Sequence, residues 1–130
     1  MADKKTAPAE ELDFYMAIEA HVRWKIRLEA YINGTSEEKL DPEIVGRDDQ
    51  CALGKWIHGS GGARYGNHPK FPELRDIHAQ FHQCAGNVIR TVDKGDPDTA
   101  RDLLSRGDYA KYSQRVKAEL ARLALELQKD

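Results

Sequence analysis

The feature that most constrains the fold is the helical spacing of apolar residues along three long stretches of the chain. Residues 10–32 contain no Pro or Gly, and their apolar side chains recur every three or four positions until Gly34 signals a helix end. Residues 72–94 repeat this pattern, and a third stretch runs on from Tyr109 after a break near Gly107. No long segment alternates with period two. The sequence therefore predicts an all-α fold, a small helical bundle of three long helices plus short helices.

Shorter elements are predicted between the long helices. Residues 50–58 form a predicted short helix, whereas residues 59–71 hold four glycines and a proline and predict a loop. Gly95 is expected to end the second long helix just before Asp96 and Pro97 begin another. The candidate start signals before residue 50 are a Thr35–Glu38 capping box, Pro42, and Asp48 or Asp49 as an N-cap.

The 130 residues are expected to form one helical domain over residues 10–128, preceded by a flexible N-terminal arm at residues 1–9. Twenty Lys and Arg against 22 Asp and Glu give a net charge of −2, which argues against a nucleic-acid binder. No apolar run approaches a membrane span, and no signal peptide is evident, so we expect a cytoplasmic protein. There the two cysteines stay reduced, which favours metal or redox chemistry over a structural disulfide.

Three of the five histidines occupy positions that the apolar spacing assigns to the core. His21 interrupts the core face of the first helix, while His78 and His82 lie four residues apart on the core face of the second. Burying such a ring without a partner costs on the order of 1–3 kcal/mol, so some partner is expected to compensate all three.

A zinc ion is the simplest such partner. Two histidines at positions i and i+4 of a helix can hold one ion, and zinc prefers four ligands drawn from imidazole, thiolate and carboxylate. Cys51 lies near a predicted helix start, where the helix dipole favours a thiolate. Each histidine alone is more often an ordinary hydrogen-bonded residue, and Cys51 alone is more often a small buried apolar residue. The coincidence of all four predicts a zinc site formed by His21, Cys51, His78 and His82.

Three motifs in this order resemble a known family. They are His21-x-x-Trp24, the run Cys51-Ala-Leu-Gly-Lys-Trp56, and His78-x-x-x-His82. Over roughly residues 12–125 the chain resembles the chemoreceptor zinc-binding (CZB) domain. The resemblance implies a small helical bundle with His21, Cys51, His78 and His82 as the zinc ligands.

The resemblance also implies a function. Such domains are bacterial and usually cytosolic, and they occur alone or attached to chemoreceptors and to diguanylate cyclases. Zinc occupancy regulates the attached output, and in some members the ligating cysteine reacts with oxidants such as hypochlorous acid. This sequence has neither receptor helices nor a cyclase domain. If it is complete, its output is expected to be a separate signalling protein or its own homodimer.

A site of three imidazoles and one thiolate leaves no position for a substrate water, so we expect a sensor and not an enzyme. The ligands come from three segments, so zinc binding and local folding are linked, and oxidation of Cys51 would weaken the site. Two alternatives remain open. One is a di-iron enzyme or oxygen carrier, although Glu73 and Asp76 have the wrong spacing for it. The other is a metal-free helical interaction domain.

Several further residues have alternative roles. Trp24 and Trp56 are expected to form a hydrophobic layer around the site or to serve as ordinary core packing. Cys84 is expected to be a buried structural thiol, or a second redox group that bridges to Cys51 on oxidation. The remaining expectations are close helix approach at Gly54, exposure of His58 and His68, and a solvated face at Lys111, Arg115, Lys117, Glu119 and Arg122.

Overall fold

The computed structural model describes residues 13–49 and 51–128, excluding the side chains of residues 127 and 128, and every regular element in this part is a helix. The predicted all-α bundle is confirmed, with long helices of 20, 23 and 21 residues. The arm at residues 1–9 and the expected helix start at residue 10 lie outside the described residues. In chain order the helices are α1 Phe14–Asn33, α2 Pro42–Val45, α3 Ala52–His58, α4 Ser60–Tyr65, α5 Phe71–Asp93, α6 Pro97–Arg106 and α7 Asp108–Gln128.

Local signals set most of these helix ends, as predicted. Helix α1 ends at Gly34, which takes the left-handed conformation with φ 76°. Gly95 follows α5 with φ 90°, and the Asp96 side chain then accepts the Thr99 N–H to begin α6. The sequence indicated two possible starts for a short helix after α1, the Thr35–Glu38 capping box and Pro42. The helix α2 begins at Pro42.

Two local predictions were wrong. The predicted loop at residues 59–71 contains α4, and the glycine at position 61 of this helix permits close contact with the Trp56 ring, which a Cβ there would overlap. The N-cap of α3 is Cys51, not Asp48 or Asp49, since its Sγ accepts the Gly54 N–H at 3.3 Å.

The long helix α5 lies at the centre of the bundle and packs against α1, α2, α6 and α7. Its apolar spacing buries one face completely, and the facing residues of α1 and α7 close the core. Among the described helices, none combines the length and the apolar character needed to cross a bilayer. Side chains that are fully buried in this core include Leu28, Leu74, Phe81, Val88, Ile89, Val116 and Leu120.

The charged face predicted on α7 is correct in part. Three of its five residues, Lys111, Arg115 and Arg122, are exposed. Lys117 is half-buried, and Glu119 is only 5% exposed. Its Oε2 accepts a hydrogen bond from Arg122 at 2.9 Å. Position 119 flanks the buried Leu120, so the carboxylate lies at the edge of the apolar face and not on the solvated one.

Candidate metal centre

Three helices bring the candidate donor groups together. His21 lies in the middle of α1, and His78 and His82 lie one turn apart on α5. Cys51 precedes the first residue of α3. The three imidazoles are buried, at 2%, 0% and 2% exposure, whereas Cys51 is half-buried.

The donor atoms of these four residues all lie within 4.8 Å of one another. The Cys51 Sγ is 3.3 Å from His78 Nε2 and 3.4 Å from His82 Nε2, and these two nitrogens are 3.1 Å apart. The His21 ring lies 5.3 Å from the His78 ring and 6.0 Å from the His82 ring, between centroids. In the described part of the chain, this is the group of His, Cys and acidic residues compact enough to hold a cation.

Backbone carbonyls orient two of the rings. His21 Nδ1 donates to the Ala17 carbonyl at 2.8 Å, and His82 Nδ1 donates to the Val45 carbonyl at 2.8 Å. Each Nδ1 therefore carries the proton, and each Nε2 presents a lone pair. Sequence reasoning missed both carbonyls, because a backbone acceptor leaves no side-chain signal in the sequence.

Burial keeps the imidazoles neutral. Desolvation lowers the pKa of His21 to about 4 and that of His78 to about 2, and it also lowers the pKa of His82. Neutral imidazole is the form that binds a metal ion.

Burial acts on Cys51 in the opposite direction. The sequence predicted that the helix dipole favours a thiolate, and the N–H of Gly54 does act in that sense. Desolvation is the larger effect, however, and it raises the pKa of the Cys51 thiol. Without a cation the sulfur is therefore held as a thiol, and a bound cation would be needed to ionise it.

The residues present fit a zinc ion. Among the described residues, His21 Nε2 is buried without a hydrogen-bond partner, which is unfavourable unless it binds something. The lone pairs of His21 and His82 and the Cys51 sulfur face a common point, where a cation would relieve both the desolvation and the mutual repulsion of the donors. Imidazole and thiolate together are a donor set that suits zinc.

The other candidate residues lie at varying distances from this centre. Trp24 is half-buried and lines a cavity that Cys51 and His82 also line. The Trp56 ring packs instead with Phe14 and Phe71, at centroid distances of 5.7 Å, which is ordinary core packing.

The predictions for the remaining histidines, for Cys84 and for Gly54 had different outcomes. His58 is exposed as expected, whereas His68 is half-buried and its Nδ1 accepts the Lys70 N–H. Cys84 is a buried free thiol, and Cys51 is also free. Gly54 does allow a close approach, but of a turn and not of the expected helix, because a Cβ there would overlap the carbonyl oxygen of Asp48 in the turn before α3.

Together, the fold and the donor cluster define a class: a helical bundle with three imidazoles and one thiol gathered at its core. The family model for the chemoreceptor zinc-binding domain matches residues 21–89, which is more than half of the chain. The match begins at His21 and includes Cys51, His78 and His82. The chain therefore belongs to this family of regulatory zinc-binding domains. No curated protein and no solved structure gives a significant match.

Proposed function

We propose that this protein is a zinc-responsive sensor domain without enzymatic activity, in which His21, Cys51, His78 and His82 hold one zinc ion. The observation that carries the proposal is the convergence of the four donor atoms within 4.8 Å. The unpartnered, buried His21 Nε2 supports it further, because a metal-free protein would gain nothing from burying that nitrogen. The proposal includes a cytoplasmic location, where a free thiol is the normal state.

The positions of the donors in the fold explain how occupancy becomes a signal. A zinc ion would supply a cross-link between α1, the start of α3, and α5, because the donors extend from His21 to His82 (82 − 21 = 61 residues apart). Helix α3 has seven residues and depends on tertiary contacts for its stability. Loss of the cross-link therefore releases the segment around Cys51 first, while the long helices stay packed.

Cys51 also gives the site a chemical input. Its thiolate can take the oxygen of hypochlorous acid, giving a sulfenic acid and chloride: RS⁻ + HOCl → RSOH + Cl⁻. The sulfur loses two electrons and chlorine gains them. A sulfenic acid is a poorer metal ligand than a thiolate, so oxidation lowers zinc affinity and has the same structural effect as zinc removal. We propose that a separate signalling protein, or a second copy of this chain, detects that change.

Elemental analysis of the purified protein tests the proposal. The wild type is expected to contain one zinc per chain, and each of the four single alanine variants of the donors is expected to contain much less. Cys84→Ala and His58→Ala are the matched controls, because they remove the same kinds of side chain outside the cluster. Full zinc content in Cys51→Ala would exclude Cys51 as a ligand.

The same preparation separates this function from the two alternatives. A di-iron protein is coloured and uses several buried carboxylates. Among the described residues, Glu119 is the single Asp or Glu that is buried, and Glu73 is exposed. Iron in the sample, with the matching absorption bands, would favour that alternative. A metal-free interaction domain predicts no stoichiometric metal at all.

A further inference from the structure

A solvent-open cavity of about 490 Å³ leads to the donor cluster. Its inner wall includes Cys51 and His82, and its outer wall includes Trp24, Arg27 and Ile44. Cys51 is the half-buried member of the cluster, whereas the three imidazoles are at most 2% exposed. A molecule that enters from solvent through this cavity therefore reaches Cys51, the most exposed donor of the cluster, together with His82.

One side of the cavity is held in place by a stacked ion pair. The Arg27 guanidinium lies 3.9 Å from the centroid of the Trp24 ring. The same guanidinium binds both oxygens of Glu38, at 3.0 and 2.6 Å. This geometry joins the segment after α1 to α1 itself and fixes the distance between two walls of the cavity.

The other side is connected directly to the cluster. Helix α2 contributes Ile44 and Val45 to the cavity, and the Val45 carbonyl accepts the His82 Nδ1–H. The Ile44 side chain is 53% exposed, so it borders the cavity without contributing to the core. The same short helix thus borders the cavity and orients His82.

We propose that this cavity is the entry and exit route for the metal ion, and that the wall formed by Trp24, Arg27 and Glu38 sets the rate of metal exchange. This inference rests on the proposed function, because it assumes that the cluster binds zinc. The lining residues outside the cluster form no bond to the ion. A change in the width of the route therefore alters the association and dissociation rates by the same factor and leaves the equilibrium affinity unchanged.

The test compares rates with affinities. Ile44→Trp narrows the cavity from an exposed position, and Glu38→Gln weakens the ion pair that fixes its wall. Leu125→Trp is the matched control, because Leu125 is 63% exposed and lies on α7, outside the cavity. Zinc transfer from each loaded protein to the chelator 4-(2-pyridylazo)resorcinol is followed by stopped flow, and affinity is measured separately by equilibrium competition.

Ile44→Trp is expected to slow transfer at least threefold and Glu38→Gln to accelerate it at least twofold, both with affinities within twofold of the wild type. Transfer from Ile44→Trp at the same rate as from Leu125→Trp would overturn the inference. A wild type that binds no zinc would instead overturn the proposed function.

A second measurement does not depend on zinc. In a Cys84→Ala background, the maleimide labelling rate of metal-free protein reports access to the Cys51 sulfur. Ile44→Trp is expected to slow this labelling at least threefold, and Leu125→Trp is expected to leave it unchanged. Equal labelling rates in the two variants would show that the sulfur is reached by another path, which contradicts the inference.

Discussion

Replacing His21 by leucine is expected to stabilise the metal-free protein and to destabilise the zinc-bound one. The variant removes a buried nitrogen without a hydrogen-bond partner, which raises the free energy of unfolding by about 1–3 kcal/mol. It also loses the hydrogen bond from Nδ1 to Ala17, which contributes about 1 kcal/mol. Leucine has nearly the volume of histidine and can pack on the Phe81 ring, whose centroid is 5.0 Å from that of His21.

Subtracting the lost hydrogen bond leaves an expected net gain without metal of about 0–2 kcal/mol, or a rise in Tm of up to roughly 8 °C for a domain of this size. With free zinc at 100 times Kd, the wild type gains about 2.7 kcal/mol, and a variant with three donors gains much less at that concentration. The order of stability of the two proteins should therefore reverse between chelator and zinc.

Urea and thermal unfolding, followed by circular dichroism in chelator and in zinc, measure this reversal. His58→Leu is the control, because its exposed ring lies outside the cluster and its effect should be the same in both conditions. If His21→Leu is less stable than the wild type in chelator and gains as much from zinc, His21 is an ordinary core residue and the reasoning fails.

Three further predictions concern the surroundings of the cluster. Residues 45–60 should exchange their amide hydrogens faster in chelator than in zinc, and equal protection by mass spectrometry in both states would contradict the proposed coupling. Gly86→Ala should stabilise helix α5 by about 1 kcal/mol yet weaken zinc binding about threefold to tenfold. The affinity falls because the new Cβ lies 3.0 Å from the Pro42 carbonyl oxygen and displaces α2 together with the Val45 carbonyl. Competition titration measures the affinity, and an unchanged value would refute this prediction. The metal-free protein should lose stability as pH falls from about 6.5 to about 4, since the unfolded chain binds a proton there that His21 does not. Urea midpoints measure this loss, and His21→Leu should reduce it.

Features of the fold that depend on nearby residues could be predicted from the sequence. The three long helices follow from apolar spacing, and Gly34 and Gly95 end helices because each adopts a positive φ. The core positions of His21, His78 and His82 also follow from spacing, which is why their need for a partner was evident before the structure. Their role as zinc ligands stays a prediction until metal is measured.

Features that depend on contacts between distant residues could not be predicted. The helix α4 was missed for a different reason, because four glycines and a proline are typical of a loop, whereas Gly61 packs against the Trp56 ring in a helix. The burial of Glu119 depends on how α7 is rotated against its neighbours, which its sequence does not specify at the edge of the apolar face. The Val45 carbonyl faces His82 across 37 residues of chain, and no local pattern encodes such a contact.

The cap at the start of α3 has an optical consequence. One sulfur atom both faces the imidazoles and accepts the Gly54 N–H in the first turn of the helix that carries Trp56, whose ring lies against Phe14, Tyr65 and Phe71. Metal binding or oxidation at the Cys51 sulfur is therefore expected to change the surroundings of the Trp56 indole, five residues further along the chain. Trp56 fluorescence is therefore expected to follow zinc occupancy or oxidation without an added label, with Trp24→Phe removing the signal of the second tryptophan.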